Sequence, residues 1–153
     1  MREAVIVSVA RTGIGKAGRG ALNNTHGATM GGHVVAQAVA RAKIDPAEVE
    51  DVILGVAWPE GAVGFNIGRQ AALRAGLPVT VPGMIVNRNC ASGLMAIGIA
   101  GNRIQLGEAA VQVAGGLESV SMVTGNRNRV HAEEDWLKAN CPGVYWPMIQ
   151  TAD

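Results

Sequence analysis

The chain has 153 residues, 48% hydrophobic and 16% charged, with 13 basic side chains against 12 acidic ones and a net charge of +1. This composition excludes a disordered tail and gives enough length for one domain with a real core. The balanced charge leaves no electrostatic footprint for nucleic acid or an acidic membrane surface.

In chain order, the β-branched run AVIVSV at residues 4–9 predicts a buried strand, followed by a Gly- and Asn-rich loop. Met30, Val34, Val35, Ala38, Val39 and Ala42 recur with helical spacing and predict an amphipathic helix over about 28–43. In DPAEVE, Asp45 can cap a new turn, Pro46 suits its first position and Glu48 occupies the capping-box position. DVILGVAW at 51–58 predicts the second strand, and NIGRQAALRAGLP at 66–78 a helix stopped by Gly76 and Pro78. GMIVNR predicts a third strand leading into Cys90. SGLMAIGIAGNRIQLG predicts a third helix ended by Gly107, and AAVQVAGGLES a fourth strand running into Gly115 and Gly116. Past Ser119 the pattern dissolves into polar loop carrying Trp136 and Trp146. Strands alternating with helices predict an α/β layered domain with a mainly parallel sheet.

No secretory leader is expected, because Glu3 lies in the first residues and the apolar stretch stops at ARTGIGK. No run approaches the roughly 18 apolar residues of a membrane span, so the expectation is a cytoplasmic protein.

The third helix is apolar around its whole circumference: Leu94, Met95, Ile97, Ile99, Ala100, Ile104 and Leu106 leave no polar face, while Gly98 and Gly101 admit a close backbone. Such a helix has to be covered on every side, and one sheet covers one side. A further layer is expected, and nothing after Ser119 looks able to form it.

Cys90 and Cys141 form no CxxC and have no His or Asp at metal-ligand spacing, so metal and dithiol readings are weak. Cys90 falls where a strand passes into a helix. Free N–H groups and the macrodipole at a helix N-terminus favour an anion, and the small Ala91, Ser92 and Gly93 would let a carbonyl approach. The Cys90 N–H could face an oxyanion formed by attack on that carbonyl. On spacing alone, a cysteine serving as a small buried apolar residue is the commoner outcome, and both readings stand.

VNRNCASGLMAI resembles the nucleophile motif of the thiolases, roughly V-N-[RK]-x-C-x-S-G-x-x-A-[IV]. RTGIGKAGRG resembles the family's opening R-T-P-[IF]-G-[KR]-x-G-G, with Gly13 where proline is usual. NIGRQAALRAGLP resembles N-x-[AG]-R-x-[AV]-x-L-x-A-G-[LI]-P, and AGGLESVS resembles A-G-G-x-E-S-[MV]-S. MIQTAD is similar to M-G-x-T-A-E through Met148, Thr151 and Ala152, while Ile149 and Asp153 depart from it. Order and spacing agree along nearly the whole chain.

The resemblance implies a thiolase-like fold in which two similar βαβαβαββ halves pack into five layers, one helix from each half forming the central layer. Residues 1–118 would then be the N-terminal βαβαβαβ core half, with a mainly parallel sheet. Residues 119–153 would begin the loop region covering the CoA site. It implies that Cys90 attacks an acyl-CoA thioester, holds the acyl group covalently and passes it to CoA or to the enolate of acetyl-CoA. The substrates would be coenzyme A and acyl-CoA, with no permanently bound cofactor and no metal. Asn87 and Arg88 would fix the turn and Ser92 and Gly93 support it. Gly115 and Gly116 would allow tight backbone packing, Glu118 and Ser119 would support the loop, and Met148 would lie on the substrate side.

Thiolases take a His base, a second Cys and an oxyanion-hole Asn from G-H-P, C-x-G-G-G and N-E-A-F motifs, none of which occurs in this sequence. His26, His33, His131 and Cys141 match none of them and read as surface or packing residues. The expectation is therefore a half that needs a complementary C-terminal half, as a separate chain or as further sequence. Complete protomers would associate through the edge of the N-terminal sheet. The competing readings are a ketoacyl-synthase or hydroxymethylglutaryl-CoA synthase type of condensing enzyme, a non-catalytic acyl-CoA or lipid-binding subunit, and a free-standing cysteine hydrolase using His131.

Overall fold

The computed structural model describes residues 2–153. Three parallel strands form the sheet: β1 (Asp51–Gly55), β2 (Gly83–Val86) and β3 (Gln112–Gly116), in the order β2-β1-β3. Val52 lies opposite Gly83 on one side and Val113 on the other, so β1 is central and every one of its residues is buried.

Alternation along β1 sends its side chains to two different cores. Val52 and Leu54 face α1 (Gly27–Ala42) and α2 (Ile67–Arg74), where they pack with Val35, Val39, Ala71 and Ala72. Ile53 faces α3 (Ser92–Leu106) and packs with Ala96 and Ala100. Helices α2 and α3 are the two crossovers, one on each face, as parallel pairing requires.

Local chemistry closes the elements. His26 caps α1, its Nδ1 accepting from the Ala28 N–H at 3.1 Å, and His33 is exposed in the second turn. The expected capping box forms around residues Pro46–Glu48: Asp45 accepts from Ala47 N–H, and Glu48 accepts from Asp45 N–H. Asn66 caps α2 by accepting from Arg69 N–H. Gly107, at φ 80°, ends α3 with its N–H on the Arg103 and Ile104 carbonyls. Arg103 ties α3 to the sheet by donating to the buried Asp51 carboxylate at 2.6 Å. That bond raises the guanidinium pKa, partly offset by desolvation.

Two expectations are corrected. Residues 4–9 are not a strand, and Val5, Ile6, Val7 and Val9 are between 65% and 75% exposed. The segment is held by bonds to helices: Arg2 N–H donates to Gln105 O, Ser8 Oγ to Ala38 O at 2.6 Å, and Arg41 to Val9 O at 2.8 Å. A β-branched run becomes a strand only through a hydrogen-bonded neighbour, and the bonds of this segment go to α1 and α3 while the outer edges of β2 and β3 stay unpaired among the described residues.

Residues beyond Ser119 are not polar loop throughout. They include α4 (Val120–Val123), α5 (Asp135–Asn140) and α6 (Met148–Ala152), with 3-10 turns between them. Helices of four to six residues are too short to show a 3.6-residue period. Helix α5 rests on its cap: Glu134 accepts from Trp136 N–H and Leu137 N–H, which lowers the carboxyl pKa.

Candidate active site

The carboxyl ends of parallel strands are where open α/β sheets place their sites. Here the ladder runs slightly past the strands, with Val56 N–H donating to Val86 O and Leu117 N–H to Gly55 O, both at 3.1 Å. Three loops leave side by side: 56–60 from β1, 87–91 from β2 and 117–119 from β3.

The loop after β2 carries Cys90, exposed and unpaired. Asn87 Oδ1 accepts from Asn89 N–H at 2.9 Å, closing an Asx-type turn. Asn89 takes a left-handed conformation, φ 48°, which Asn tolerates better than other side chains. Ser92 is buried. Its hydroxyl donates to Asn89 O at 2.5 Å and accepts from Arg88 N–H at 2.8 Å, so the first residue of α3 is tied back across Cys90 to Arg88 and Asn89. Ala91 is the N-cap of α3 and supplies no side-chain cap. Cys90 therefore sits directly before a 15-residue helix whose first N–H groups lack intrahelical acceptors.

Glycine brings that helix end onto the sheet. A Cβ on Gly55 would lie 2.1 Å from the Ser92 carbonyl carbon and 2.3 Å from Gly93 N. A Cβ on Gly116 would lie 3.1 Å from both Gly55 O and Gly93 Cα. The start of α3 thus rests against the ends of β1 and β3, and any side chain at Gly55 would push it off. Gly115 differs from the expectation, since the nearest atom to an added Cβ there is Leu54 Cδ2 at 3.9 Å. The close approach belongs to Gly116 and to Gly55, which sequence reading missed. The available signal was a glycine directly after the apolar run Val52–Leu54.

Glu118 accepts three backbone N–H groups: Ala57 at 3.0 Å and Trp58 at 3.1 Å on Oε2, and Ser119 at 3.1 Å on Oε1. Asn87 Nδ2 donates to Ala57 O at 3.0 Å. Asn87, Ser92, Gly93, Gly116 and Glu118 are thus brought together around the Cys90 turn. Met148 stands exposed at the start of α6, a helix with no buried residue. Among the described residues none of His26, His33 and His131 is hydrogen-bonded to Cys90, and Cys141 is exposed at the end of α5.

Comparison with known proteins identifies the family. The family model "Thiolase, N-terminal domain" matches residues 4–151. The chain is 40% identical over its whole length to the 3-ketoacyl-CoA thiolase of Bacillus subtilis, spanning 39% of that protein. It is 45% identical to the acetyl-CoA acetyltransferase of Cupriavidus necator over 79% of this chain and 30% of that one. The crystal structure of the Bacillus anthracis acetyl-CoA acetyltransferase superposes with a TM-score of 0.73 at 38% identity, over 85% of this chain and 34% of that one. The chain belongs to the thiolase family and has the α/β fold of the family's N-terminal domain. It spans about a third of the length of the relatives it matches. No helix among the described residues is long and apolar enough to cross a membrane.

Proposed function

We propose that this chain is the nucleophile-bearing part of an enzyme transferring acyl groups between CoA thioesters. The observation that supports this most directly is the exposed Cys90, held by Asn87 and Ser92 immediately before α3. In the degradative direction, Cys90 Sγ attacks the 3-keto carbon of a 3-ketoacyl-CoA. The C2–C3 bond breaks, the acyl group stays on sulfur, and acetyl-CoA leaves as an enolate that takes a proton. The Cys90 N–H supplies one oxyanion donor. A CoA thiolate then removes the acyl group; the reverse sequence is a Claisen condensation.

The base for Cys90 and the donor for the enolate come from a complementary C-terminal half. The same half covers α3, whose Leu94 and Leu106 are 74% and 70% exposed. Residues 1–118 form the N-terminal core in this reading, and residues 119–153 begin the segment lying over the CoA thioester, with Met148 on its substrate side. The cytoplasm is the expected compartment, and complete protomers form homo-oligomers.

The test is intact-mass spectrometry of the natively purified protein with any accompanying chain, before and after acetoacetyl-CoA. An acetyl adduct mapping to Cys90, and lost in Cys90→Ser, is the expected result. A complete assembly that stays unmodified would sink the proposal. Acyl-CoA binding without an adduct would favour a non-catalytic subunit.

A further inference from the structure

The hydrogen bonds around Glu118 form a path that ends at Asn89, the residue before Cys90. The last paired residue of β1 is Gly55, and beyond Val56 the N–H groups of Ala57 and Trp58 leave the ladder. Glu118 replaces the lost partners by accepting both on Oε2. Its bonds go to backbone N–H groups, and no Lys or Arg pairs with it among the described residues. Bonds to an ionised acceptor are the strong kind.

The Trp58 N–H and the Ala57 carbonyl belong to one planar peptide unit. Glu118 holds its N–H end at 3.1 Å and Asn87 Nδ2 holds its carbonyl end at 3.0 Å. The Asn87 carboxamide can satisfy this arrangement in one orientation only, with nitrogen toward Ala57 O and oxygen toward Asn89 N–H. Asn89 is the left-handed residue directly before Cys90. A carboxylate at the end of β3 therefore sets one peptide plane after β1, that plane sets the Asn87 amide, and the amide sets the turn after β2.

We propose that Glu118 is a positioning residue for Cys90, acting through the Ala57–Trp58 peptide and Asn87. The proposal rests on Cys90 being the nucleophile. It assigns the carboxylate no contact with substrate and no proton transfer.

The experiment is competitive labelling of the native chain with iodoacetamide, reading the ratio of Cys90 to Cys141 labelling by peptide mass spectrometry. Cys141 is also exposed and lies outside the bond path, so it serves as the internal reference. Cys90 is already exposed, so the chief effect of loosening its turn is on its orientation at the start of α3. Glu118→Ala is expected to lower the ratio about fivefold, because the sulfur loses its place beside the free N–H groups at the start of α3, which favour the reacting anion. Glu118→Gln, which keeps one oxygen for the Ala57 and Trp58 N–H pair, is expected to restore most of it. Adding Glu118→Ala to Asn87→Ala is expected to lower the ratio no further. An unchanged ratio in Glu118→Ala or equal changes at both cysteines would overturn the proposal. So would a full additional loss on the Asn87→Ala background. If Glu118→Ala fails to fold, a Glu118→Gln ratio as low as that of Asn87→Ala overturns it as well. Failure of the nucleophile reading would show separately, as a missing acetyl adduct on the unmutated protein.

Discussion

On one face of the sheet, α1 and α2 bury Val52 and Leu54 beneath Val35, Val39, Ala71 and Ala72. On the other, α3 covers Ile53 with Ala96 and Ala100 while Leu94, Ile97 and Leu106 turn outward. Both faces obey the same pleat. They differ because α1 and α2 cover the strands as a pair, whereas α3 is a single apolar cylinder laid against the sheet. A helix that is apolar all round carries more buried-type surface than one sheet can cover. The first face is complete within these residues, and the second still presents an apolar surface next to the Cys90 turn.

The largest expected effect lies on the finished face. Leu54→Ala should destabilise the chain by about 3 kcal/mol, read as a lower urea midpoint, because the cavity is enclosed on all sides. A cost under about 1 kcal/mol would mean that this face is less closed than the buried residues indicate.

Gly55→Ala tests the seam between the faces. Its Cβ would collide with backbone at the start of α3, so about 2 kcal/mol should be lost and the Cys90 labelling rate should change with it. Full retention of both would show that α3 does not rest on β1.

Leu94→Ser sharpens the contrast from the open side. Its effect on the stability of this chain should stay within about 0.5 kcal/mol. Association with a complementary half, measured by size-exclusion chromatography with light scattering, should weaken strongly. A large loss of stability in the chain by itself would place Leu94 in a core.

The smallest effect concerns the segment after Ser119. Glu134 caps α5 as a carboxylate, and its two N–H bonds lower its folded-state pKa. The stabilisation is therefore present above the ordinary carboxylate pKa and lost as pH falls through the lowered folded value. Acidification should fray α5, read from the amide resonances of Trp136 and Leu137, and Glu134→Gln should remove that pH dependence.

Much of this architecture was legible from local pattern. Helical spacing from Met30 to Ala42 marks α1, and the Asp45–Glu48 box and Gly107 mark turns whose chemistry is complete within a few residues. The junction at Cys90 was legible for the same reason, since a β run, small residues and a helical run follow one another directly. Residues 4–9 carry equally strong β propensity and still form no strand, because propensity names a preference and pairing requires a neighbour. Gly55 passed unnoticed because its constraint comes from Ser92 and Gly93, far along the chain.

The sequence by itself determined the helix and strand types from α1 to β3, the thiolase likeness and the place of Cys90 between strand and helix. These rest on interactions a few residues apart and on an ordered set of short motifs. Only the tertiary structure decided that β1 lies between β2 and β3, that α3 keeps an open face, and that the Glu118 carboxylate reaches Ala57 and Trp58 to hold the Asn87 amide. Those outcomes depend on residues some thirty to sixty positions apart being brought within hydrogen-bond distance. Hydrophobic pattern sets which faces must be buried, and packing alone selects which distant groups meet.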